Sequence, residues 1–426
     1  MPDAEGLERA NWAGNVVFGA GRRVAPTSIE ELQSIVAGCE RARPVGTRHS
    51  FNTIADTTGT LISTARLPRL IRIDPAAREV TVSAGTRYAT LARELHAQGF
   101  ALPNLGSLPH ISVAGACATA THGSGDHNGN LATSVTALEL VTATGDLRTV
   151  RRGVDPDFAG QVVALGALGV VVAVTLAIVP TFQVRQDVYQ GLTRAALLDH
   201  VEEIFAAAYS VSVLTDWSSE SSRLWAKRRV VEKAGEADPV PMEMFGARAV
   251  SHPAHPIPGL DPVHTTRQLG IPGPWHDRLP HFRSGFTPSA GNELQSEYFV
   301  SRDHADAAIA AIHRIGDEIR PALQISELRT IAADDLWLSP AYRRDATSLH
   351  FTWLPDEAVV ARAVAAVERQ LAPFDPRPHW GKIFALPART IRASYPRATD
   401  FLQLAGSHDP TGTFRNPFLA HTLGLA

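Results

Sequence analysis

The chain has 426 residues, enough to bury a substantial core, and this length predicts two domains. Its formal net charge is -3 and its pI is about 6.6, so it has no strong positive field to attract nucleic acid. Two cysteines, Cys39 and Cys117, are too few for a disulfide framework or a zinc site, which fits a reducing compartment. Residues 1–5 are charged and lack the apolar block of a signal peptide. These features predict a cytoplasmic protein.

The first part of the chain predicts an α+β unit that ends near Pro180. A capping box starts its first helix, and alternating apolar residues mark its hairpins. The predicted elements in chain order are a helix from Ser28 to Gly38, with Glu31 completing the cap, a strand at 43–45, a hairpin of 70–73 and 79–83, a helix with Tyr88, Leu91 and Leu95 that stops at Gly99, and a hairpin of 137–142 and 147–150.

Residues 162–179 form an almost unbroken apolar run, just long enough to span a membrane. The run contains Gly166, Gly169 and Thr175, is rich in valine, and lacks flanking aromatic or basic residues. We therefore interpret 165–169 as a turn and 170–178 as a buried strand; a membrane span is the alternative.

From Phe182 onward, helical and strand patterns alternate and predict an antiparallel sheet with helices on one face. The predicted helices are 195–208, 303–319 and 357–371, and the predicted strands are 211–214, 295–300, 323–330 and 348–354. Between them, residues 237–290 are dense in Pro, Gly and His. A segment that long is either functional, as a lid, or a plain surface excursion.

Two loops have the chemistry to bind a phosphate-bearing ligand. The histidine loop, residues 44–52, follows a strand and holds His49 between Arg48 and Ser50, while Gly46 lets the backbone approach a ligand. A polar β-turn is the alternative for this loop. The small-residue loop, residues 107–125, leaves its backbone uncovered over a long stretch. No P-loop is present, and Gly123-Ser124-Gly125 has its next glycine one residue too late for a dinucleotide fingerprint.

These motifs together resemble the vanillyl-alcohol-oxidase type of FAD-linked oxidase, and within that family the alditol oxidases. The resemblance covers nearly the whole chain. The matching stretches are 11–15, 45–50, 107–125, 165–171, 294–298, 350–353, 379–382 and 409–418.

The resemblance implies a two-domain fold and a polyol substrate. The expected FAD-binding α+β domain comprises residues 1–181, completed by 383–426, and the substrate domain, with its antiparallel sheet and flanking helices, comprises 182–382. The implied reaction takes hydride from the terminal primary alcohol of a linear polyol such as xylitol or sorbitol, with dioxygen reduced to hydrogen peroxide. We expect a monomer with no metal, nucleic-acid or membrane partner.

By resemblance, His49 is the residue that links FAD covalently; a neutral histidine that caps the loop is the alternative. The other positions that the resemblance assigns to the flavin are Gly46, Thr47, Arg48, Ser50, Ser107, Ser112, Gly115, Ala116, Thr119, Val171 and His379. Gly106 corresponds to an oxygen gate, because a residue without Cβ leaves room for dioxygen beside the flavin. A glycine that the turn requires is the alternative.

The residues that bind the substrate must stabilise charge, because the hydroxyl proton leaves as hydride is removed. Glu327 and Arg329 are two residues apart on a predicted strand and so share one face, as do His350 and Thr352. A surface ion pair is the alternative for Glu327 and Arg329. By resemblance, the polyol binds to Ser107, Gln295, Glu327, Arg329, Thr352 and Lys382, and the catalytic group is Lys382, Arg329, Glu327 and His350.

The proton acceptor stays open between two possibilities. Lys382 stabilises an alkoxide, or the proton leaves through water. Two other functions compete with the polyol oxidase: a sugar-lactone (aldonolactone) oxidase or dehydrogenase of the same fold, and a flavin-bound redox-sensing module without turnover. The Glu327, Arg329 and Lys382 group argues against the second.

Overall fold

The computed structural model describes residues 7–217, 220–230, 241–286 and 292–425. The interpretation of residues 1–5, and both ends of the 237–290 segment, lie outside these residues.

The strands of the described part of the chain are numbered in chain order. They are β1 Arg22–Val24, β2 Ala42–Val45, β3 Thr60–Ser63, β4 Ile71–Asp74, β5 Glu79–Ser83, β6 Phe100–Ala101, β7 Val135–Val141, β8 Leu147–Arg151, β9 Val170–Ala177, β10 Val179–Pro180, β11 Gln183–Thr193, β12 Ser210–Thr215, β13 Ser221–Arg229, β14 Glu243–Met244, β15 Ala247–Ala249, β16 Gly273–Pro274, β17 Leu294–Ser301, β18 Leu323–Ile331, β19 Ala346–Trp353 and β20 Arg377–Pro378.

The α-helices of the same residues are numbered likewise. They are α1 Ile29–Ala37, α2 Tyr88–Ala97, α3 Val113–Ala118, α4 Phe158–Val162, α5 Arg194–Asp199, α6 Val201–Ala206, α7 Ala305–His313, α8 Gly316–Ile319, α9 Glu357–Leu371, α10 Ala388–Ser394, α11 Ala398–His408 and α12 Pro417–Leu423.

The first half of the chain forms a small parallel sheet, β1-β3-β2, and an antiparallel sheet, β4-β5-β9-β7-β8. The predicted cap of α1 is confirmed, because Ser28 Oγ accepts from the backbone N–H of Glu31 at 3.1 Å. The carboxylate of Glu31 turns back to the start of the helix, where it accepts from the N–H of Thr27 at 2.7 Å. Both predicted hairpins are confirmed as β4-β5 and β7-β8.

The apolar run 162–179 folds as predicted, into a turn followed by strand β9. The strand pairs with β5 on one side and β7 on the other, which explains its continuous apolar sequence. Gly169 has a φ of 149°, and a Cβ there would lie 2.5 Å from the carbonyl oxygen of Val141. The membrane-span alternative is wrong, and in the described residues no helix is long and apolar enough to cross a membrane.

The second half is dominated by a ten-stranded sheet in the described residues, with the order β14-β15-β11-β13-β12-β18-β19-β17-β20 and with β16 paired to β11. Its strand pairs are antiparallel. Helices α5, α6, α7 and α9 contact β11, β12 and β17. The predicted α+β class, with an antiparallel sheet and flanking helices, is confirmed.

Two predicted helices are each broken in two. Residues 195–208 divide into α5 and α6 at His200, whose φ of -131° lies outside the helical range. Residues 303–319 divide into α7 and α8, where the backbone of Gly316 approaches Trp217 so closely that a Cβ would lie 2.3 Å from its carbonyl oxygen. Helix α9 has the predicted bounds.

The closing residues of the chain bond to the start of the first half. The N–H of Ala42 donates to the carbonyl oxygen of Thr413 at 2.8 Å. Arg43, which is buried, donates to the carbonyl oxygens of Phe414 at 2.7 Å and Leu165 at 2.6 Å. The return of residues 409–418 therefore fixes β2, which leads directly into the histidine loop. The domain boundaries at 181/182 and 382/383 stay a prediction.

Candidate active site

A cavity of about 570 Å³ lies between the histidine loop, the small-residue loop, the ten-stranded sheet and the segment 241–286. It is lined by nearly every residue that the sequence analysis proposed: Gly46, Thr47, Arg48, His49, Ser50, Gly106, Ser107, Ser112, Gly115, Ala116, Thr119, Gln295, Glu327, Arg329, His350, Thr352, His379 and Lys382. Val171 does not line this cavity; it lies half-buried on β9.

The sheet supplies a polar floor. His350 on β19 lies directly opposite Glu327 on β18 and also opposite Glu297 on β17. Residues directly opposite in antiparallel strands point to the same face, so these three side chains form one row across three strands. Thr352 and Gln295 pair in the next row on the same face. These polar residues of β17, β18 and β19 therefore lie together on one face, as their period-two spacing predicts.

Glu297 is the centre of the charges on this floor. Its Oε2 accepts from Lys382 Nζ at 2.7 Å, and its Oε1 accepts from an Arg329 Nη at 2.7 Å and from His122 Nε2 at 3.1 Å. Burial by itself raises the pKa of Glu297, but Lys382, His122 and Arg329 outweigh it and hold the pKa well below its usual range. The carboxylate is therefore ionised and fixes both cations.

Glu327 lies at the other end of the row and is also buried. Its Oε1 accepts from His281 Nε2 at 2.9 Å, and its Oε2 lies 3.8 Å from Arg329 Nε. Glu327 is 7 % and Arg329 5 % exposed, so the alternative of a surface ion pair is wrong. Arg329 thereby links Glu327 to Glu297.

His350 is held by its neighbours on the sheet. Its Nε2 lies 3.1 Å from Gln295 Oε1, while the amide nitrogen of Gln295 donates to Glu293 at 2.5 Å. Because Gln295 presents its oxygen to the ring, Nε2 carries the proton and Nδ1 holds a lone pair. Burial lowers the pKa of His350 well below its usual range, so the ring is neutral.

The ring of His49 is fixed in one tautomer. Its Nδ1 lies 3.0 Å from the carbonyl oxygen of Thr47, which can only accept, so Nδ1 carries the proton and Nε2 holds the lone pair. Nε2 is buried and has no hydrogen-bond partner in the described part of the chain. Burial lowers the pKa of His49 to about 4, and the ring stacks on Trp12 at 5.1 Å. A neutral, orphaned ring nitrogen thus lines the cavity.

The two loops come into close contact, as a site for a large planar or diphosphate ligand requires. A Cβ on Gly46 would lie 2.3 Å from Ser112 Oγ, and one on Gly115 would lie 2.9 Å from the same atom. Thr47 Oγ1 also accepts from the N–H of Ser112 at 3.3 Å. The uncovered backbone at these glycines, beside the orphaned Nε2 of His49, fits a flavin nucleotide.

The histidine loop is bonded to the segment that carries Lys382. Asn52 Nδ2 donates to the carbonyl oxygens of Trp380 and Lys382, both at 2.8 Å. The N–H of Phe51 donates to the carbonyl oxygen of Gly381 at 2.7 Å. The cofactor loop and the charged floor are therefore parts of one site.

Comparisons with known proteins agree with this geometry. Residues 21–151 match the family described as "FAD binding domain", and residues 292–422 match that described as "D-arabinono-1,4-lactone oxidase". The chain is 47% identical over 417 residues to an alditol oxidase of Streptomyces sp., covering 97% of this chain and 98% of that protein. The chain belongs to the vanillyl-alcohol-oxidase-type family of FAD-linked oxidases.

One further relative and one solved structure are also similar to this chain. An L-gulono-1,4-lactone dehydrogenase of Mycobacterium tuberculosis is 30% identical over 441 residues, covering 97% of this chain and 99% of that protein. The crystal structure of cholesterol oxidase from B. sterolicum superposes with a TM-score of 0.78 at 16% identity, over 98% of this chain and 96% of that one. The predicted two-domain FAD-linked oxidase fold is confirmed, and the chain carries an FAD-binding domain.

Gly106, the predicted oxygen gate, does not need to be glycine for the backbone. Its φ lies outside the left-handed range, and a Cβ would meet the carbonyl oxygen of His122 at 3.5 Å and Thr121 Cγ2 at 3.8 Å, which are ordinary contacts. The alternative that the turn requires glycine is therefore wrong. The gate stays a prediction.

Three residues of the site carried no assigned role in the sequence analysis. Glu297 shares its face of a predicted strand with Gln295, so the period-two signal was present. His122 lies within the small-residue loop, among residues with no regular spacing that would mark it for a role. His281 comes from the segment dense in Pro, Gly and His, which has no periodicity. That segment walls the cavity, so a plain surface excursion is wrong.

Proposed function

We propose that this oxidoreductase is an FAD-dependent alditol oxidase. It oxidises the terminal primary alcohol of a linear polyol, such as xylitol or sorbitol, to the aldose. The observation that carries the proposal is the row Glu327, His350 and Glu297, which places two carboxylates and their bound cations beside the His49 loop in one cavity. The 47% identity to an alditol oxidase over nearly the whole chain supports the same substrate class.

FAD is the proposed cofactor, held by the histidine loop and the small-residue loop and attached covalently through His49. Bound FAD supplies a hydride acceptor that dioxygen reoxidises, with release of hydrogen peroxide. What supports the attachment is a neutral ring with an orphaned, buried nitrogen in the cavity wall. In His49→Ala, the yellow colour should leave the chain on acid denaturation, while the wild type should keep it. Colour retained by the variant would remove His49 as the link.

The charged residues on the sheet face of the cavity bind the substrate hydroxyl and stabilise the charge that develops on it. The Lys382 ammonium and the Arg329 guanidinium, both bound to Glu297, stabilise the oxygen as its proton leaves. Thr352, Gln295 and Ser107 line the same cavity and bind further hydroxyls. Because Lys382 is paired with a carboxylate, we assign it to charge stabilisation, and the proton leaves through water.

A sugar-lactone oxidase or dehydrogenase is the second candidate. It is favoured by the match of residues 292–422 to the arabinonolactone oxidase family and by the lactone dehydrogenase relative. Anaerobic mixing of the purified protein with xylitol or with a γ-lactone separates the two. The proposal expects xylitol to bleach the flavin absorbance and air to restore it with peroxide. Bleaching by the lactone alone would select the second candidate, and bleaching by neither would select a flavin-binding module without turnover.

The expected working partners are a small polyol and dioxygen, and the expected location is the cytoplasm. Cys39 and Cys117 are both free thiols, and Cys117 is buried. Free thiols are compatible with a reducing compartment. Measurement of mass in solution tests the expected monomer.

A further inference from the structure

His281 is a buried cavity residue that no step above uses. It is 5 % exposed, and it lines the cavity from the segment 241–286. Its Nε2 lies 2.9 Å from Glu327 Oε1. Because an ionised carboxylate only accepts, Nε2 carries the proton and donates this bond.

The other ring nitrogen of His281 then holds a lone pair. This Nδ1 is buried and has no hydrogen-bond partner within the described ranges. A buried acceptor without a donor is unfavourable by about 1–3 kcal/mol, so an unpartnered ring nitrogen on a residue that lines the cavity indicates a ligand that donates. The ligand group that suits it is a hydroxyl.

The backbone around His281 is fixed on both sides. Lys227 Nζ donates to the carbonyl oxygen of Leu279 at 2.5 Å. Thr266 donates from Oγ1 to the carbonyl oxygen of Pro280 at 2.7 Å, and from its N–H to that of His281 at 2.9 Å. These bonds fix the backbone that carries the ring, and such preorganisation favours a binding role.

The two glutamates that contact His281 and Lys382 lie on different strands of the sheet. Glu327, which binds His281, and Glu297, which binds Lys382, lie on the two strands that flank His350. Two strand spacings amount to about 10 Å. This spacing, taken between the backbones of Glu297 and Glu327, is similar to the span of an extended chain of about five carbons with a hydrogen bond at each end, so a linear polyol with its reacting end at Lys382 extends toward His281.

We propose that His281 is a further substrate-binding residue, whose Nδ1 accepts a hydrogen bond from the hydroxyl at the far end of a linear polyol while its Nε2 holds Glu327. The proposal rests on the polyol oxidase function. Through His281, the segment 241–286 discriminates between polyols of different chain length.

The test compares xylitol with its 5-deoxy analogue, which keeps one primary alcohol and lacks the far hydroxyl. In the wild-type holoenzyme, kcat/KM for flavin reduction should be about tenfold lower for the analogue, through a higher half-saturating concentration. In His281→Gln, which keeps a donor for Glu327, xylitol should fall to the level of the analogue. The exposed residue His252 lies on the same segment, and His252→Gln should keep the tenfold preference.

Three outcomes overturn the proposal. The wild type treats both polyols alike, or His281→Gln keeps the tenfold preference, or the variant loses xylitol and analogue turnover equally. The first outcome is decided on the wild type alone, so a variant that does not fold leaves the proposal testable. A wild type that oxidises neither polyol instead overturns the proposed function, which keeps the two failures distinct.

Discussion

Replacement of Glu297 by Gln removes the carboxylate charge that Lys382 and Arg329 share. Each cation lies 2.7 Å from a Glu297 oxygen, and at an effective dielectric constant of 20 a unit pair at that distance interacts by about 6 kcal/mol. Desolvation offsets part of this attraction, so we expect a loss of about 3–5 kcal/mol of unfolding free energy. For a domain of the size of the predicted substrate domain, residues 182–382, this loss of unfolding free energy corresponds to a fall of about 10 °C in Tm.

The same change alters the pH dependence of flavin reduction. Burial lowers the pKa of Lys382, and Glu297 opposes that effect, so Glu297→Gln lowers the pKa further. The alkaline limb of the reduction rate, measured anaerobically with saturating xylitol, should therefore move to lower pH.

Glu368→Gln provides the matched control for Glu297→Gln. Glu368 is a buried glutamate that accepts from Tyr298 and from the N–H of Ala385, and it has no ion-pair partner among the residues described. This variant should lose only about 1 kcal/mol of unfolding free energy, and the alkaline limb of its flavin-reduction rate should stay at the wild-type pH. If Glu297→Gln behaves like the control in both Tm and pH limb, Glu297 does not position the two cations.

Further variants test other parts of the site. Lys382→Met should slow flavin reduction by about 10²–10³-fold with an unchanged fold, because it removes charge stabilisation; near-normal reduction would exclude Lys382 from the chemistry. Gly106→Ala should keep polyol-driven reduction and slow reoxidation by dioxygen, measured by mixing reduced protein with air, and unchanged reoxidation would remove the gate. Burial lowers the pKa of Lys227 to about 7, below its unfolded value, so wild-type stability should rise from pH 7 to pH 10 by up to about 4 kcal/mol. Lys227→Met should lack that rise in denaturant titrations and should be more stable than the wild type at pH 6; parallel pH curves would contradict this.

The sequence predicted the first half of the fold well because its signals are local. Helix caps, hairpin turns and a strand that is paired on both sides each give a recognisable pattern among residues close together in the sequence. The apolar run 162–179 is an example. Strands β11 and β13 were missed. They bury Arg185, Asp187 and Lys227, so their polar residues do not alternate with apolar ones in the way that marks a strand.

The sequence predicted site residues correctly where two of them lie on the same strand. Glu327 and Arg329 share a face by period two, and this prediction from the residues agrees with their burial in the cavity. His281 could not be found in that way. Its contact with Glu327 joins residues 46 positions apart, through a segment whose path depends on bonds such as that between Lys227 and Leu279. Such contacts are set by the tertiary packing and leave no local pattern.

The two hydrogen bonds from Asn52 have a mechanical consequence. They connect the loop of His49 to the main chain of Lys382 itself, through a path only three residues long from the histidine. A displacement of the loop is thereby transmitted to the lysine backbone. The N–H of Ile383 donates in turn to the carbonyl oxygen of Gln295 on β17 at 2.8 Å. One short amide side chain, with no long flexible linker, therefore ties the histidine loop to a segment that is itself hydrogen-bonded to the large sheet.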